Sequence, residues 1–134
     1  MSAAGTLMDE LATAAAAAVS TLTAGNCERG IRLAADLEAE DMPHLFLHNP
    51  EETVELLDHL QERVTTTVSL TLVTRDETQE ATLAHLDLIR AQIRTDVTLS
   101  DSVTYAYVSS FGVRESPEER DKAGDLVVVA VAEP

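Results

Sequence analysis

The 134-residue chain has very little positive charge. It contains one lysine, Lys122, and eight arginines against 24 acidic residues, which gives a net charge of −15 at pH 7. DNA phosphates attract proteins through lysines and arginines that displace counterions. The few arginines here are scattered along the sequence and form no basic patch. The composition therefore excludes unassisted binding to nucleic acid.

Cysteine and long apolar runs are also scarce. Cys27 is the only cysteine, so no internal disulfide can form, which is typical of a protein made inside the cell. No stretch reaches the ~20 consecutive apolar residues that a membrane-spanning helix needs. The alanine-rich N-terminus carries Asp9 and Glu10 and lacks the basic segment of a signal peptide. We therefore expect no membrane partner.

The residues that are present indicate a folded protein in an unusual medium. Hydrophobic residues make up 45% of the chain, mostly Ala, Val and Leu, which excludes low-hydrophobicity disorder for most of it. A composition with many acidic residues, many Thr and Val, and almost no Lys resembles that of proteins from extreme halophiles. At ~1 M salt the Debye length is only ~3 Å, so self-repulsion is largely screened. The alternative is an acidic protein from a GC-rich genome; we favour the halophile interpretation.

Apolar residues at helical spacing predict two main helices. The first runs from Thr6 to Thr23 and is followed by the stop signals Gly25 and Asn26. The second runs from Glu77 to Arg94, with Asp76 as its N-cap. We expect its buried stripe to consist of Leu83, Leu86, Ile89 and Ile93, with Ala81 and Leu88 alongside.

Four segments are predicted as strands. The clearest strand alternates apolar and polar residues, which is typical of a sheet with one buried face. The last one is a nearly continuous β-branched run that suits a central strand, and we expect it to pair antiparallel with the strand before it. The segments are His44–His48 (closed by Asn49-Pro50), Val64–Thr74, Ser102–Val113 and Leu126–Ala132. The apolar residues Val103, Tyr105, Tyr107, Phe111 and Val113 are expected on one face of the third strand.

Two stretches remain ambiguous. Residues 27–43 are interpreted as a short extended or helical piece followed by an exposed loop. Thr53–Gln61 is interpreted as a short helix or irregular link, and the alternative is a strand segment leading into the next hairpin. The predicted fold class is α+β, with a four-stranded antiparallel or mixed sheet and two main helices packed on one face, in a single domain over residues 1–134.

No motif for catalysis or cofactor binding emerges. The sequence has neither a glycine-rich phosphate loop nor a G-x-S-x-G elbow. His44 and His48, if on a strand, lie ~13 Å apart, which is too far to share a metal ion. Adjacent carboxylates such as Glu51 and Glu52 are attributed to solvated surface, and Cys27 has no obvious activating base. We therefore predict a protein that is not an enzyme, with no catalytic, cofactor or metal site.

The order of segments carries a family resemblance. An N-terminal helix precedes a short strand after proline (Pro43-His44-Leu45-Phe46-Leu47), a long Thr-rich strand (residues 65–73) and a helix (residues 77–94). Leu99-Ser100-Asp101 then leads into two final strands, residues 105–113 and 126–131. This layout resembles the tail terminator, or tail completion, proteins of long-tailed, siphovirus-type viruses.

The resemblance implies a structural role in a virion. Tail terminators form a hexameric ring at the head-proximal end of the tail tube, where they stop polymerisation of the tube protein. They also present a docking surface to head-completion, or neck, proteins, and DNA passes through the ring during ejection. The expected partners are thus further copies of this chain, the major tail tube protein and a neck protein, with DNA only as transiting cargo. Such a protein would be made in the host cytoplasm, here that of a halophilic archaeon, and would end in the tail or neck of the virion.

Two acidic loops are the predicted interfaces. The link from Arg114 to Gly124 is longer than the two to five residues usual in a hairpin, and long charged loops on a sheet often carry binding. We expect it to contact a neighbouring subunit or the tube protein; a plain surface loop is the alternative. The exposed Thr face of Val64–Thr74 is a third candidate. The predicted interface residues are Arg114, Glu115, Glu118, Glu119, Arg120 and Asp121 in the long loop, and Glu38, Glu40 and Asp41 in the other.

Other functions are compatible with the same residues. Another head–tail connector or neck protein shares the small α+β character. An acidic DNA-mimic regulator or antitoxin, and a small enzyme with an unusual carboxylate site, belong to different classes. A ring in high salt favours the terminator, whereas a stable monomer that binds a DNA-processing enzyme favours the mimic.

Overall fold

A computed structural model describes residues 3–30, 37–58, 60–114 and 121–134. Short 3-10 turns occupy Ala24–Asn26 and Ala39–Asp41. The main elements in chain order are α1 (Ala3–Ala18), β1 (Cys27–Arg29), β2 (His44–Asp58), β3 (Gln61–Arg75), α2 (Gln79–Thr95), β4 (Tyr105–Arg114) and β5 (Asp121–Ala132).

The strands form one mixed sheet of five strands in the order β1-β2-β3-β5-β4. β1 runs parallel to β2, and every other neighbouring pair is antiparallel. The α+β prediction is confirmed, as is the antiparallel pairing of the last two strands. The predicted sheet lacked β1, which is only three residues long and therefore too short to show an alternating pattern.

Both helices cover one face of the sheet, called here the inner face. Even-numbered residues of β3 and β5 point to it, and the helices bury their apolar stripes on them. The opposite, outer face is covered near Phe46 and Val73 by Leu37 and Met42. The core of the inner face includes Leu7, Leu11, Ala15 and Val19 from α1, Leu86, Ile89 and Ile93 from α2, Val68, Leu70 and Leu72 from β3, and Leu126, Val128 and Ala130 from β5.

The first helix ends earlier than its apolar pattern indicates. α1 stops at Ala18, although Val19 and Leu22 are still buried. Ser20 and Thr21 form a turn at this point, and their hydroxyls favour turns over helix interiors. The apolar periodicity therefore continued past the end of the helix because the following turn packs on the same core.

The second helix is capped and rotated differently from the prediction. Thr78, rather than Asp76, is the N-cap, and its hydroxyl accepts a hydrogen bond from the Ala81 amide at 3.1 Å. The buried face contains Leu86, Ile89 and Ile93 as expected, but Thr82 takes the remaining place. The Thr82 hydroxyl is satisfied by Thr74 of β3 at 2.8 Å. Leu83, which was predicted in the stripe, and Leu88, which was predicted alongside it, are instead exposed.

The largest correction concerns the region around Thr53–Gln61. The favoured helix or irregular link is wrong, and the alternative, a strand segment leading into the next hairpin, is confirmed, because β2 runs on to Asp58 and β3 begins at Gln61. The Asn49-Pro50 pair does not end the strand. It forms a β-bulge with Asn49 at a φ of 51°, a left-handed conformation that asparagine tolerates well. Among the described residues β1 pairs with Leu45–Leu47 and with no later residue of β2, so Pro50 lies on a strand edge there, where no ladder amide is needed.

A second bulge corrects the predicted face of β4. The register shifts between Val108 and Ser110, which moves alternate side chains to the other face. Tyr105 and Tyr107 lie opposite Val131 and Val129 on the outer face, whereas Phe111 lies opposite Leu126 on the inner face. The expectation that these aromatic residues share one face is therefore wrong.

Close packing between α2 and β5 depends on Gly124. A Cβ atom at this position would lie 2.8 Å from Cδ1 of Leu86 and 3.1 Å from its Cγ and Cδ2. Leu86 is buried at the centre of the core, so its side chain has no free volume into which to move.

We expect Gly124→Ala to destabilise the fold by about 1–3 kcal/mol, the usual cost of overpacking. Urea unfolding followed by circular dichroism measures the change. Gly112→Ala is the matched control, because a Cβ atom there meets nothing within 4 Å. Equal stability of the two variants would contradict the close contact.

Candidate assembly surface

A β-hairpin arm projects from the sheet. We define the arm as residues 49–58 of β2, Leu60 at the turn and residues 61–63 of β3. Its strands pair with each other, but the pairing of β3 with β5 begins only at Val64, opposite Ala132. Val64 also lies opposite Val54, so the stretch from Val54 to Asp58 extends ~13 Å beyond the last rung of β5. From Val54 to its turn the arm is thus a two-stranded extension that the helices do not cover, whereas residues 51–53 pair with residues 65–67 beside β5.

The arm combines exposed apolar side chains with carboxylates. Leu60 at the turn is 95% exposed and Leu56 is 66% exposed, and Val54 and Leu57 are also open to solvent. Isolated two-stranded hairpins are marginally stable in water, and clustered exposed apolar side chains mark interaction sites. The acidic residues of the arm are Glu51, Glu52, Glu55, Asp58 and Glu62.

The opposite edge of the sheet concentrates the aromatic residues. The chain has two Tyr, two Phe and no Trp, and Tyr105, Tyr107 and Phe111 all lie on β4 and are partly exposed. The two tyrosine rings stack at 6.4 Å between centroids and 18° between planes. Arg90 of α2 lies 5.5 Å from the centroid of the Phe111 ring, a cation–π contact. β4 contains no acidic residue, in contrast with the arm.

A row of polar side chains crosses the outer face. Arg114 donates two hydrogen bonds to the Asp125 carboxylate, from Nε at 2.6 Å and from Nη2 at 3.2 Å. The Thr71 hydroxyl donates to Oδ1 of Asp125 at 2.9 Å. Since its proton is used there, Thr71 accepts from Nε2 of His48, which lies 2.8 Å away. The row links β4, β5, β3 and β2 side by side.

The predicted interface residues fall into three groups. Arg114 ends β4 and belongs to the polar row. Asp121 begins β5, so residues 121–124 are strand and not loop. The structure does not describe Glu115, Glu118, Glu119 and Arg120. In the second loop, Glu40 and Asp41 lie in a 3-10 turn, and Asp41 accepts a hydrogen bond from the Glu38 amide at 2.9 Å.

Arg75 brings the two predicted loops to the same end of the sheet. Its guanidinium binds Asp121 through two hydrogen bonds, at 2.7 and 3.1 Å, and donates a further one to the Leu37 carbonyl at 3.2 Å. Both side chains of the ion pair are largely buried. Asp121 therefore has a structural partner within the fold, which leaves its predicted role at an interface untested.

The Thr face of β3, the third candidate, divides along its length. Thr65, Thr67 and Ser69 are half-buried, whereas Thr71 is buried within the polar row. The half-buried residues share the outer face with Val127, Val129 and Val131 of β5. This part of the face is uncharged and has no helix on it in the described ranges.

The histidines of the described ranges are held by hydrogen bonds. His44 is buried and its Nε2 lies 2.6 Å from Glu28, and His85 lies 3.0 Å from Glu77. Within the same ranges no cluster of three or more His, Cys, Asp and Glu side chains has the geometry to hold a metal ion. No helix there has both the length and the apolar character needed to cross a membrane.

The comparisons with known proteins give a shared fold. No protein-family model matches the chain, and no curated protein does so either. Among solved structures, the chain is similar to one in the virion of a native gene transfer agent particle, with a TM-score of 0.51 and 14% identity. The match covers 90% of this chain and 84% of the other. At this identity the likeness concerns the fold alone.

Reasoning from the sequence missed both the arm and the aromatic edge as surfaces. The arm was hidden because Asn49-Pro50 was interpreted as the end of a strand. The alternation of Thr53, Val54, Glu55 and Leu56 was the available signal for a strand. The aromatic edge could have been suspected from the placement of three of the four aromatic residues within residues 105–111.

We expect Arg75→Met to destabilise the protein by about 1–3 kcal/mol, because it leaves Asp121 largely buried without its charge partner. Thermal unfolding monitored by circular dichroism tests this. Arg63→Met is the control, since Arg63 pairs with Glu55 and Glu133 on the surface at 3.4 and 3.2 Å and should change stability by less than ~0.5 kcal/mol. Similar losses in both variants would argue against a special role for Arg75.

Cys27 should react slowly with alkylating reagents in the folded protein. Burial raises the pKa of its thiol, and only the thiolate is nucleophilic. We expect the ratio of denatured to native labelling rates by iodoacetamide to be largest near neutral pH. The ratio should fall as the pH rises and the native thiol ionises. A native thiol that reacts as fast as the denatured one at neutral pH would contradict this.

Proposed function

We propose that the chain is a structural protein of a tailed virion and has no enzymatic role. The observation that carries the proposal is the fold shared with a chain of a gene transfer agent virion over most of both lengths. The arm and the aromatic edge support it, because an assembly subunit needs contact surfaces that remain open in the single copy.

Within the virion, we propose the role of tail terminator. The order of elements that carries the family resemblance recurs in the structure, with the long β3 preceding α2 and the strands β4 and β5 last. In this role the chain forms a hexameric ring on the tail tube, stops growth of the tube and docks a neck protein. DNA passes through the lumen, and an acidic lumen would repel phosphate and let it slide.

The proposed setting is a virus of a halophilic archaeon. Its support is the net charge of −15 with a single lysine. In molar salt, this charge keeps the protein soluble while repulsion between subunits is screened to a few ångströms. Ring assembly of so acidic a chain is therefore easier in high salt than in dilute buffer.

We expect the purified chain to shorten tail tubes when it is added to polymerising tail tube protein of the same virus in molar salt. Negative-stain electron microscopy measures the distribution of tube lengths and shows whether a ring sits at one tube end. An unrelated protein of similar size and net charge controls for a general charge effect.

Other outcomes select the alternatives. Unchanged tube lengths together with binding to a head-completion protein would replace the terminator by another neck protein. A monomer that binds neither, but inhibits a DNA-processing enzyme, would overturn the virion role in favour of a DNA mimic.

A further inference from the structure

We propose that the β4 edge of one copy receives the β2–β3 arm of the next copy, and that this head-to-tail contact is repeated around the ring. The inference rests on the proposed ring-forming function and specifies its subunit interface. Both surfaces lie on every chain and at opposite edges of the sheet, so each copy can give an arm and accept one.

The strand edges provide the backbone part of the contact. β4 is the last strand of the sheet, and no strand in the described ranges pairs with its outer edge. In the ranges that the structure describes, β2 beyond Leu47 is likewise open on one side, since β1 pairs there with Leu45–Leu47 alone. Open edges are templates for pairing with another chain, and strand addition uses main-chain hydrogen bonds for affinity.

Charge favours pairing of unlike edges over pairing of like edges. Residues 49–58 of the arm carry four carboxylates, Glu51, Glu52, Glu55 and Asp58. Two arms placed side by side would bring these groups together, which is unfavourable even after partial screening by salt. β4 has no carboxylate, and its terminal Arg114 is paired with Asp125 of β5. The acidic arm is therefore better matched to β4 than to a second arm.

The side chains supply the apolar part. Tyr105 and Tyr107 form a stacked, partly exposed pair, and tyrosine is enriched at the centres of interfaces. The arm offers Val54, Leu56, Leu57 and Leu60, all exposed. Covering them by the tyrosines of the next copy would remove the largest group of open apolar side chains from water.

The geometry makes the contact heterologous. An arm on one edge binds a strand on the other edge, so neither surface contacts its own equivalent. Heterologous contacts generate closed rings or open filaments, depending on the rotation between copies. The proposed ring therefore needs a single type of interface.

The test uses two variants and their mixture. Leu56→Glu alters the arm, and Tyr107→Glu adds a carboxylate to β4. Leu88→Glu is the matched control, because Leu88 is 50% exposed, like Tyr107 at 48%, but lies on α2. Sedimentation velocity in molar salt, over protein concentrations up to the millimolar range, measures self-association. Circular dichroism verifies that each variant is folded.

We expect each interface variant to weaken self-association by about 30-fold or more, as for hot-spot residues, and the control to assemble like the natural chain. An equimolar mixture of the two variants should form heterodimers and nothing larger. This follows because only the intact arm of Tyr107→Glu and the intact β4 of Leu56→Glu can join.

Each contrary result overturns the proposal. A natural chain that stays monomeric at all concentrations excludes self-pairing. Normal assembly of either variant shows that its surface is not at the interface, and a mixture without heterodimers shows that the two surfaces do not bind each other. A monomeric chain that still shortens tail tubes would refute this interface but not the terminator role. A ring that leaves tube length unchanged would refute the terminator role but not this interface.

Discussion

Gly124 allows α2 to pack closely onto β5, and this contact sets the positions of the other elements. Because Gly124 has no side chain, Leu86 descends close to the backbone of β5, and Ile89 and Ile93 follow it into the core. This position of α2 carries Arg90 over Phe111 and leaves α1 to cover β2 and β3. Both helices therefore pack on the inner face, and the outer face and the arm remain available for other contacts.

The scarcity of lysine does not deprive the fold of strong ion pairs. The two bidentate pairs in the described ranges, Arg75 with Asp121 and Arg114 with Asp125, both use arginine. The planar guanidinium matches a carboxylate with two parallel hydrogen bonds, which the ammonium of lysine cannot do. Arginine thus holds strand ends together, while most carboxylates face solvent. The arginine pairs thus contribute to stability, and the exposed carboxylates contribute to solubility.

Much of the fold could be predicted because local patterns agreed with tertiary packing. The alternation in β3 continued through Val68, Leu70 and Leu72, and all three are buried. Leu86, Ile89 and Ile93 kept helical spacing for the same reason. The predicted order of elements, from the N-terminal helix to the last two strands, is also found in the structure.

The remaining predictions were wrong where the local sequence was ambiguous. Asn49-Pro50 has the composition of a turn, and only the pairing of β2 with β3 on both sides of it makes it a bulge. Leu83 and Leu88 are as apolar as their buried neighbours, and the sequence does not state on which side a helix meets its sheet. Of the predicted interface residues, Arg114 and Asp121 have partners within the fold. The arm and the aromatic edge were overlooked because their significance lies in exposure, which depends on the whole fold.

Two of the three β-bulges in the described part of the sheet bear on how relatives of this protein would align with it. Each adds one residue in the middle of a strand, before Glu51 in β2 and before Ser110 in β4. A relative without one of these bulges would keep the same shape while its strand is shorter by a single residue. Aligning the two sequences would then require a gap inside a strand, where insertions and deletions are rare. Beyond the gap, buried and exposed residues would fall on positions of opposite parity. Similarity between two such relatives would therefore be lost from the sequence well before it is lost from the backbone structure.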